Sequence, residues 1–259
     1  MNNIFAVAGV VIKELYRRKD FYVLFILTVV ICLVMASVNI YNDNEIIRYI
    51  KDLCLMLIWI SSLVIAITTT ARQIPAEREQ RTLLPLLAKP LSRTQLIFGK
   101  FLGCWLACGV VLLCFYVFFG ALAASREHTW PLLNYFQAAF LHWTALGVVI
   151  ALTLLGSLVF AAPSSNSTIC FVAVAAILCV GRYLDTVALK LSEPLRSVIY
   201  AIYFAVPHLE WAFGMRNLIV HDWPLIGWSF VGLDAFYSLA YAAVFLVAAC
   251  LVFRRKAVN

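Results

Sequence analysis

The residues best placed to do chemistry lie in the stretch 71–100, ARQIPAEREQRTLLPLLAKPLSRTQLIFGK. Glu77, Arg78, Glu79 and Arg81 alternate in sign and are followed at once by Leu83, Leu84, Leu86 and Leu87. Glu77 and Arg81 stand at i and i+4, the favourable order for a helical ion pair. Pro85 and Pro90 limit how far any helix can run, and Ser92 suits the cap of the helix that follows. This is a chemistry of ion pairing and docking, not of bond making. A charged turn followed by a short apolar turn can lie flat on a membrane surface. One reading is a hairpin held by lipid headgroups. The sharper reading is a docking element for a soluble partner, because a flat helix between two spans would pass a push into both.

The other candidates are weaker. Gly99-Lys100 resembles the end of a phosphate-binding loop, but Thr94 stands where its first glycine belongs and Phe101 where a Ser or Thr would hold magnesium. There is no H-E-x-x-H, and Gly156-Ser157 lacks the neighbours of a nucleophile elbow. The eight cysteines include no C-x-x-C and read as small apolar packing residues. Cys104 and Cys108 share a helix face, but no further ligand sits at metal spacing. His142 is the single ionisable side chain inside the first four apolar runs, read as a hydrogen-bonded packing residue in preference to a proton relay. Arg182 and Asp185, at i and i+3, are either an outer gate or an interfacial ion pair with a snorkelling arginine. No catalytic, metal or cofactor site is expected in this chain.

The elements that position these residues follow from composition. Of 259 residues 64% are apolar and only 13% charged, against roughly 25% charged in a typical soluble domain. A helix crosses the hydrocarbon in about 20 residues. Long apolar runs fall at 21–40, 53–70, 101–124, 138–161 and 235–253, and a sixth at 168–187 if Arg182 and Asp185 are tolerated near its end. The expectation is an all-α membrane protein with six spans, forming one domain over 1–259. With the N-terminus inside, thirteen of the 20 Lys and Arg face the cytoplasm and seven face out, while acidic residues split four to nine. That asymmetry orients both termini to the cytoplasm. The net charge of +7 therefore belongs to topology and calls for no nucleic acid.

Two regions flank this plan. Residues 1–20 read as a basic interfacial helix, since Lys13, Arg17, Arg18 and Lys19 follow a short apolar run, the reverse of signal-peptide order. The stretch 182–234 holds apolar pieces too short or too interrupted to cross. With Trp211, Trp223 and Trp228 beside them, it reads as a helical hairpin dipping into the outer leaflet. Gly103, Ala107 and Gly120 suit close helix packing in the third span, either within one subunit or between two.

The segment Glu77-Arg78-Glu79-Gln80-Arg81-Thr82-Leu83-Leu84, then Leu87-Ala88-Lys89-Pro90-Leu91-Ser92-Arg93, then Gly99-Lys100, resembles the cytoplasmic motif of ABC type-2 exporter permeases. Arg81 departs from it, standing where glycine often precedes the threonine. The N-terminal interfacial helix, six spans, dipping region and Phe253-Arg254-Arg255-Lys256 ending extend the resemblance, as does Pro207-His208-Leu209-Glu210-Trp211. The resemblance implies a permease subunit in a bacterial cytoplasmic (inner) membrane, paired with an identical or related permease. A separate ABC ATPase subunit would carry ATP and magnesium, and Glu77, Arg78, Glu79, Arg81, Thr82, Leu83, Leu84, Leu87, Pro90, Ser92 and Arg93 would form the coupling element. The rival readings are an ion-gradient-driven carrier or channel, which the absence of mid-span carboxylates opposes, and a membrane component of a metalloenzyme maturation system. The substrate is not legible.

Overall fold

The computed structural model describes residues 2–17, 19–37, 44–79, 92–127 and 131–255, and all regular structure among them is helical. In chain order the helices are α1 (Asn2–Tyr16), α2 (Lys19–Ser37), α3 (Asn44–Ala71), α4 (Pro75–Glu79), α5 (Arg93–Glu127), α6 (Leu132–Val159), α7 (Pro163–Lys190), α8 (Leu195–Ala205), α9 (Leu209–Gly214), α10 (Asn217–Val220) and α11 (Trp228–Arg255).

Four of the expected apolar runs fall in helices long and apolar enough to cross a bilayer: Arg48–Glu79, Arg93–Ser125, Leu132–Val159 and Trp228–Arg255. The bent pair Leu195–Ala205 and Leu209–Val220, turned by 66° at its break, makes a fifth if taken as one span. The runs expected at 21–40 and 168–187 lie in α2 and α7 as shorter apolar stretches, Phe25–Val34 and Pro163–Cys179. Residues 38–40 of the first run, and the side chains of Leu24, Met35 and Val180 at the edges of these stretches, lie outside the description. The bent pair occupies part of the region expected to dip.

Helix α6 is the core. Every residue from Ala145 to Ala151 is buried, as befits a helix apolar on all sides. Helices α3, α5, α7 and α11 pack around it. Asn166 of α7, fully buried, donates its amide to the Thr153 carbonyl of α6 at 3.1 Å, and the Cys170 thiol donates to Asn166 Oδ1 at 3.4 Å. Outward faces are strongly apolar. Val23, Ile26, Val30 and Val34 on α2, and Phe230, Leu233, Phe236, Val244 and Val247 on α11, are all exposed. Surfaces of that kind suit hydrocarbon and would be an aggregation liability in water.

A reciprocal clasp joins α5 to α6. The Trp105 indole donates to the Trp143 carbonyl at 2.9 Å, and the Trp143 indole donates to the Trp105 carbonyl at 3.0 Å. The rings stack 4.4 Å apart at 13°. Each tryptophan lies over the glycine four residues beyond the other: a Cβ on Gly109 would come within 2.5 Å of Trp143, and one on Gly147 within 3.1 Å of Trp105. The crossed pairing makes the two helices antiparallel at this point.

Helix α1 packs on the first turns of α5. A Cβ on Gly99 would meet Val7 Cβ at 2.7 Å, and one on Gly103 would meet Val11 Cβ at 2.7 Å. Both helices advance by four residues between contacts, so they run side by side in the same direction. Gly103 thus serves packing within one chain. Its replacement by valine forces α1 away from α5, at a cost of about 1–3 kcal/mol. Gly9, on α1, has nothing within 4 Å of an added Cβ. Heating the detergent-solubilised protein and following its monodisperse fraction should show Gly103→Val losing thermal stability while Gly9→Ala matches the parent. Equal behaviour of the two would dismiss this packing.

Candidate functional site

The motif residues that the structure describes gather at the base of α5. Ser92 forms a reciprocal cap: its hydroxyl accepts from the Gln95 N–H at 3.2 Å, and its own N–H donates to Gln95 Oε1 at 3.0 Å. That pairing satisfies two donors at the helix start and matches the capping role expected from sequence. Arg93, one residue on, reaches the far end of the chain. Its Nη1 donates to the Phe253 carbonyl at 2.7 Å and the Arg254 carbonyl at 3.3 Å, and its guanidinium lies 5.4 Å from the Phe253 ring centre. Arg93 therefore serves carbonyls that the last turn of α11 leaves without helical partners.

Lys100 is the centre of the site. Its side chain is only 2% exposed, and Nζ donates to Glu77 Oε1 at 2.7 Å, the Gln73 carbonyl at 3.0 Å and Gln73 Oε1 at 3.3 Å. An ammonium has three protons, and these three acceptors match them. Gln73 lies in the turn that leaves α3, and Glu77 lies in α4, whose first residue is Pro75, a residue pre-shaped for a helix start. The charge clasps α3 and α4 to α5. Gly99, the neighbouring residue, seats α1 on the same turn.

Sequence reasoning paired Glu77 with Arg81. In the structure Glu77 holds Lys100, and Arg81 lies outside the described residues, together with Thr82, Leu83, Leu84, Leu87 and Pro90. Arg78 is half-buried and Glu79 exposed at the end of α4. Arg182 and Asp185 lie on α7, but their side chains are outside the description. Lys100 was visible only as part of a Gly-Lys pair. Its burial and its two partner residues arise from tertiary contact, for which i, i+4 spacing gives no signal.

His142 sits in the middle of the bundle. Ser62 donates its hydroxyl to the Trp59 carbonyl at 2.8 Å, so its oxygen is left to accept from His142 Nε2 at 2.9 Å. Tyr116 then donates to His142 Nδ1 at 3.4 Å. A neutral imidazole protonated at Nε2 satisfies this chain from end to end. The Trp59 ring stacks on it, centres 5.2 Å apart. The packing role expected of His142 is what these contacts describe.

At the other end of the bundle, α10 and the segment after it are tied to the start of α6. Asn134 donates to the Leu218 and Trp223 carbonyls at 3.2 and 2.9 Å, and Gln137 exchanges two hydrogen bonds with the Ile226 backbone, at 2.9 and 3.2 Å. Arg216 pairs with Asp52 of α3 at 3.1 Å and lies 4.1 Å from the Phe213 ring centre. Among the described residues no three His, Cys, Asp or Glu side chains converge as a metal site.

Long apolar helices round a buried helix, with the ion pairs held near their ends, define a multi-pass membrane protein. The chain belongs to the ABC-2 transporter family: the family described as "ABC-2 family transporter protein" matches residues 6–258, nearly its whole length. It is thus a membrane component of the ABC transporter class. The comparison with curated proteins gave no match.

Because Lys100 is buried against two partners, its loss should be felt far more than its size suggests. Lys100→Met keeps the stem but removes the ammonium that Glu77 and Gln73 share, at a cost of about 3 kcal/mol. Adding Glu77→Gln should restore part of that loss, because it removes the charge that the Lys100 ammonium balanced. Melting temperatures of the two single variants and the double variant, in one detergent, measure the coupling; strictly additive losses would show that the clasp contributes nothing.

Proposed function

We propose that this chain is the permease subunit of an ATP-driven exporter, with both termini in the cytoplasm of a bacterial cell and a second permease, identical or related, completing the pathway. A separate ABC ATPase docks on the end of the molecule where the start of α1 and α4 lie. Closure of the ATPases on ATP pushes α4. The push then enters the bilayer through the base of α5 and opens the pathway outward. The six-span layout with a dipping outer hairpin belongs to this reading.

Family membership supports the class. The observation that carries the coupling step is the buried Lys100 ammonium held by Glu77 and Gln73. A short helix tied to a span by a desolvated, fully hydrogen-bonded charge cannot shift without either moving that span or breaking the pair, and breaking a buried pair costs several kcal/mol. Arg78 and Glu79, the two charged residues of α4 that Lys100 does not bond, are then available to an ATPase surface.

Co-expression with an ABC ATPase from the same genome tests the proposal. The two proteins should purify together, and ATP should drive vesicle transport. Exchanging the two charges (Arg78→Glu with Glu79→Arg) should reduce the ATPase recovered about tenfold, the size of a 1–2 kcal/mol interface contact. A chain that purifies alone, transports on a proton gradient and ignores added ATPase would overturn the reading.

A further inference from the structure

A hollow of about 290 Å³ lies where α1 turns into α2 against the flank of α5. Ile12 and Tyr16 come to it from α1, Tyr22 and Phe25 from α2, and Ala107 and Cys114 from α5. Its lining presents no polar surface, and Ile12, Tyr16, Tyr22 and Val110 are exposed, so it opens away from the bundle. The Tyr22 hydroxyl donates to the Tyr16 carbonyl at 2.9 Å, and the two rings meet edge to face with centres 5.9 Å apart. That pair fixes the mouth of the hollow, and tyrosine suits the boundary between headgroups and hydrocarbon. Lys13 and Arg17 are exposed too. Each follows a lining residue, Ile12 or Tyr16, by one position, and at i and i+4 they share a face beside the mouth. Residues 13–20 read KELYRRKD, four basic side chains against two acidic.

We propose that this hollow holds one acyl chain of an anionic phospholipid, with the lipid's phosphate beside Lys13 and Arg17. A basic cluster next to a membrane span draws acidic lipids, and a wholly apolar lining suits hydrocarbon. A zwitterionic lipid would leave the excess positive charge unbalanced. A water-soluble anion would leave the hollow unfilled. A second hollow in the same molecule gives the contrast. It lies on the α6 side of α5, has about 470 Å³, and is lined by Leu106, Phe136 and Trp143 among others. The stretches 101–124 and 135–144 that form it contain no Lys or Arg. It therefore offers a surface to a lipid tail but no cation to an acidic headgroup. The inference needs only a bilayer round the chain, and it is independent of the permease reading.

The test releases the full-length chain from nanodiscs of phosphatidylglycerol and phosphatidylcholine with identical acyl chains, and counts retained lipids by native mass spectrometry. The parent should keep phosphatidylglycerol saturably and about tenfold in preference to phosphatidylcholine, which corresponds to about 1.4 kcal/mol. Lys13→Gln with Arg17→Gln should bring the two lipids within about twofold of each other, because the charges that draw the headgroup are gone. Lys13→Arg with Arg17→Lys, which keeps both charges, should hold the preference. Cys114 is exposed, so Cys114→Trp fills the hollow without entering the core and should lose retained lipid several-fold. That variant keeps the test decisive if the glutamine pair fails to fold. Leu106→Trp, which fills the other hollow, should match the parent. Glycerophosphoglycerol, the same headgroup without tails, should fail to displace the lipid. Equal retention of the two lipids by the parent, an unchanged preference in the glutamine pair, or no effect of Cys114→Trp would each overturn the proposal. Full displacement by the tail-less headgroup would overturn it too, by showing a surface anion site alone. No ATPase is present in this assay, so its failure leaves the coupling experiment above untouched.

Discussion

A single ammonium, that of Lys100, ties together the elements at one end of the bundle. Placed in an apolar wall it is tolerable only with its protons satisfied, and Gln73 and Glu77 supply the oxygens. That demand fixes where the chain must turn after α3 and why a short helix follows the turn. The same two turns of α5 receive α1 through Gly99 and Gly103, and through Arg93 they receive the end of α11. Elements from the beginning, middle and end of the sequence thus share one anchor, and a force applied to any of them reaches the others through α5.

Beyond the anchor, rigidity comes from contacts that tie helices in pairs. The Trp105–Trp143 clasp works because Gly109 and Gly147 leave room for the opposing indole, and because each carbonyl has a second lone pair beyond its own helix bond. Asn166 and the His142 chain do the same for α7 on α6 and for α3 on α6. With lipid outside as apolar as leucine inside, there is little hydrophobic drive between helices. Small residues and interhelical hydrogen bonds then decide which surfaces meet.

Much of this was legible in the residues. Apolar runs of bilayer length announce themselves, and so does Ser92, whose Gln95 completes a local cap within one turn. The family motif was readable because its residues are contiguous. What escaped was non-local. Lys100 meets Glu77 across 23 positions and Trp105 meets Trp143 across 38, and nothing in a window of one or two turns encodes such pairs. The need for small residues near Gly103 was visible, but its partner, α1, was not.

The neutral hydrogen-bond chain through Tyr116, His142 and Ser62 carries one last implication. The first four apolar runs hold no Asp, Glu, Lys or Arg, and the imidazole at their centre is satisfied without a net charge. A transmembrane voltage does work only on charge displaced along its field, about 2.3 kcal/mol per elementary charge for each 100 mV. Rods whose middles are uncharged can slide or tilt through several ångströms without crossing that field with anything. Within those four runs, a rearrangement of the kind proposed would carry no Asp, Glu, Lys or Arg side chain along that field.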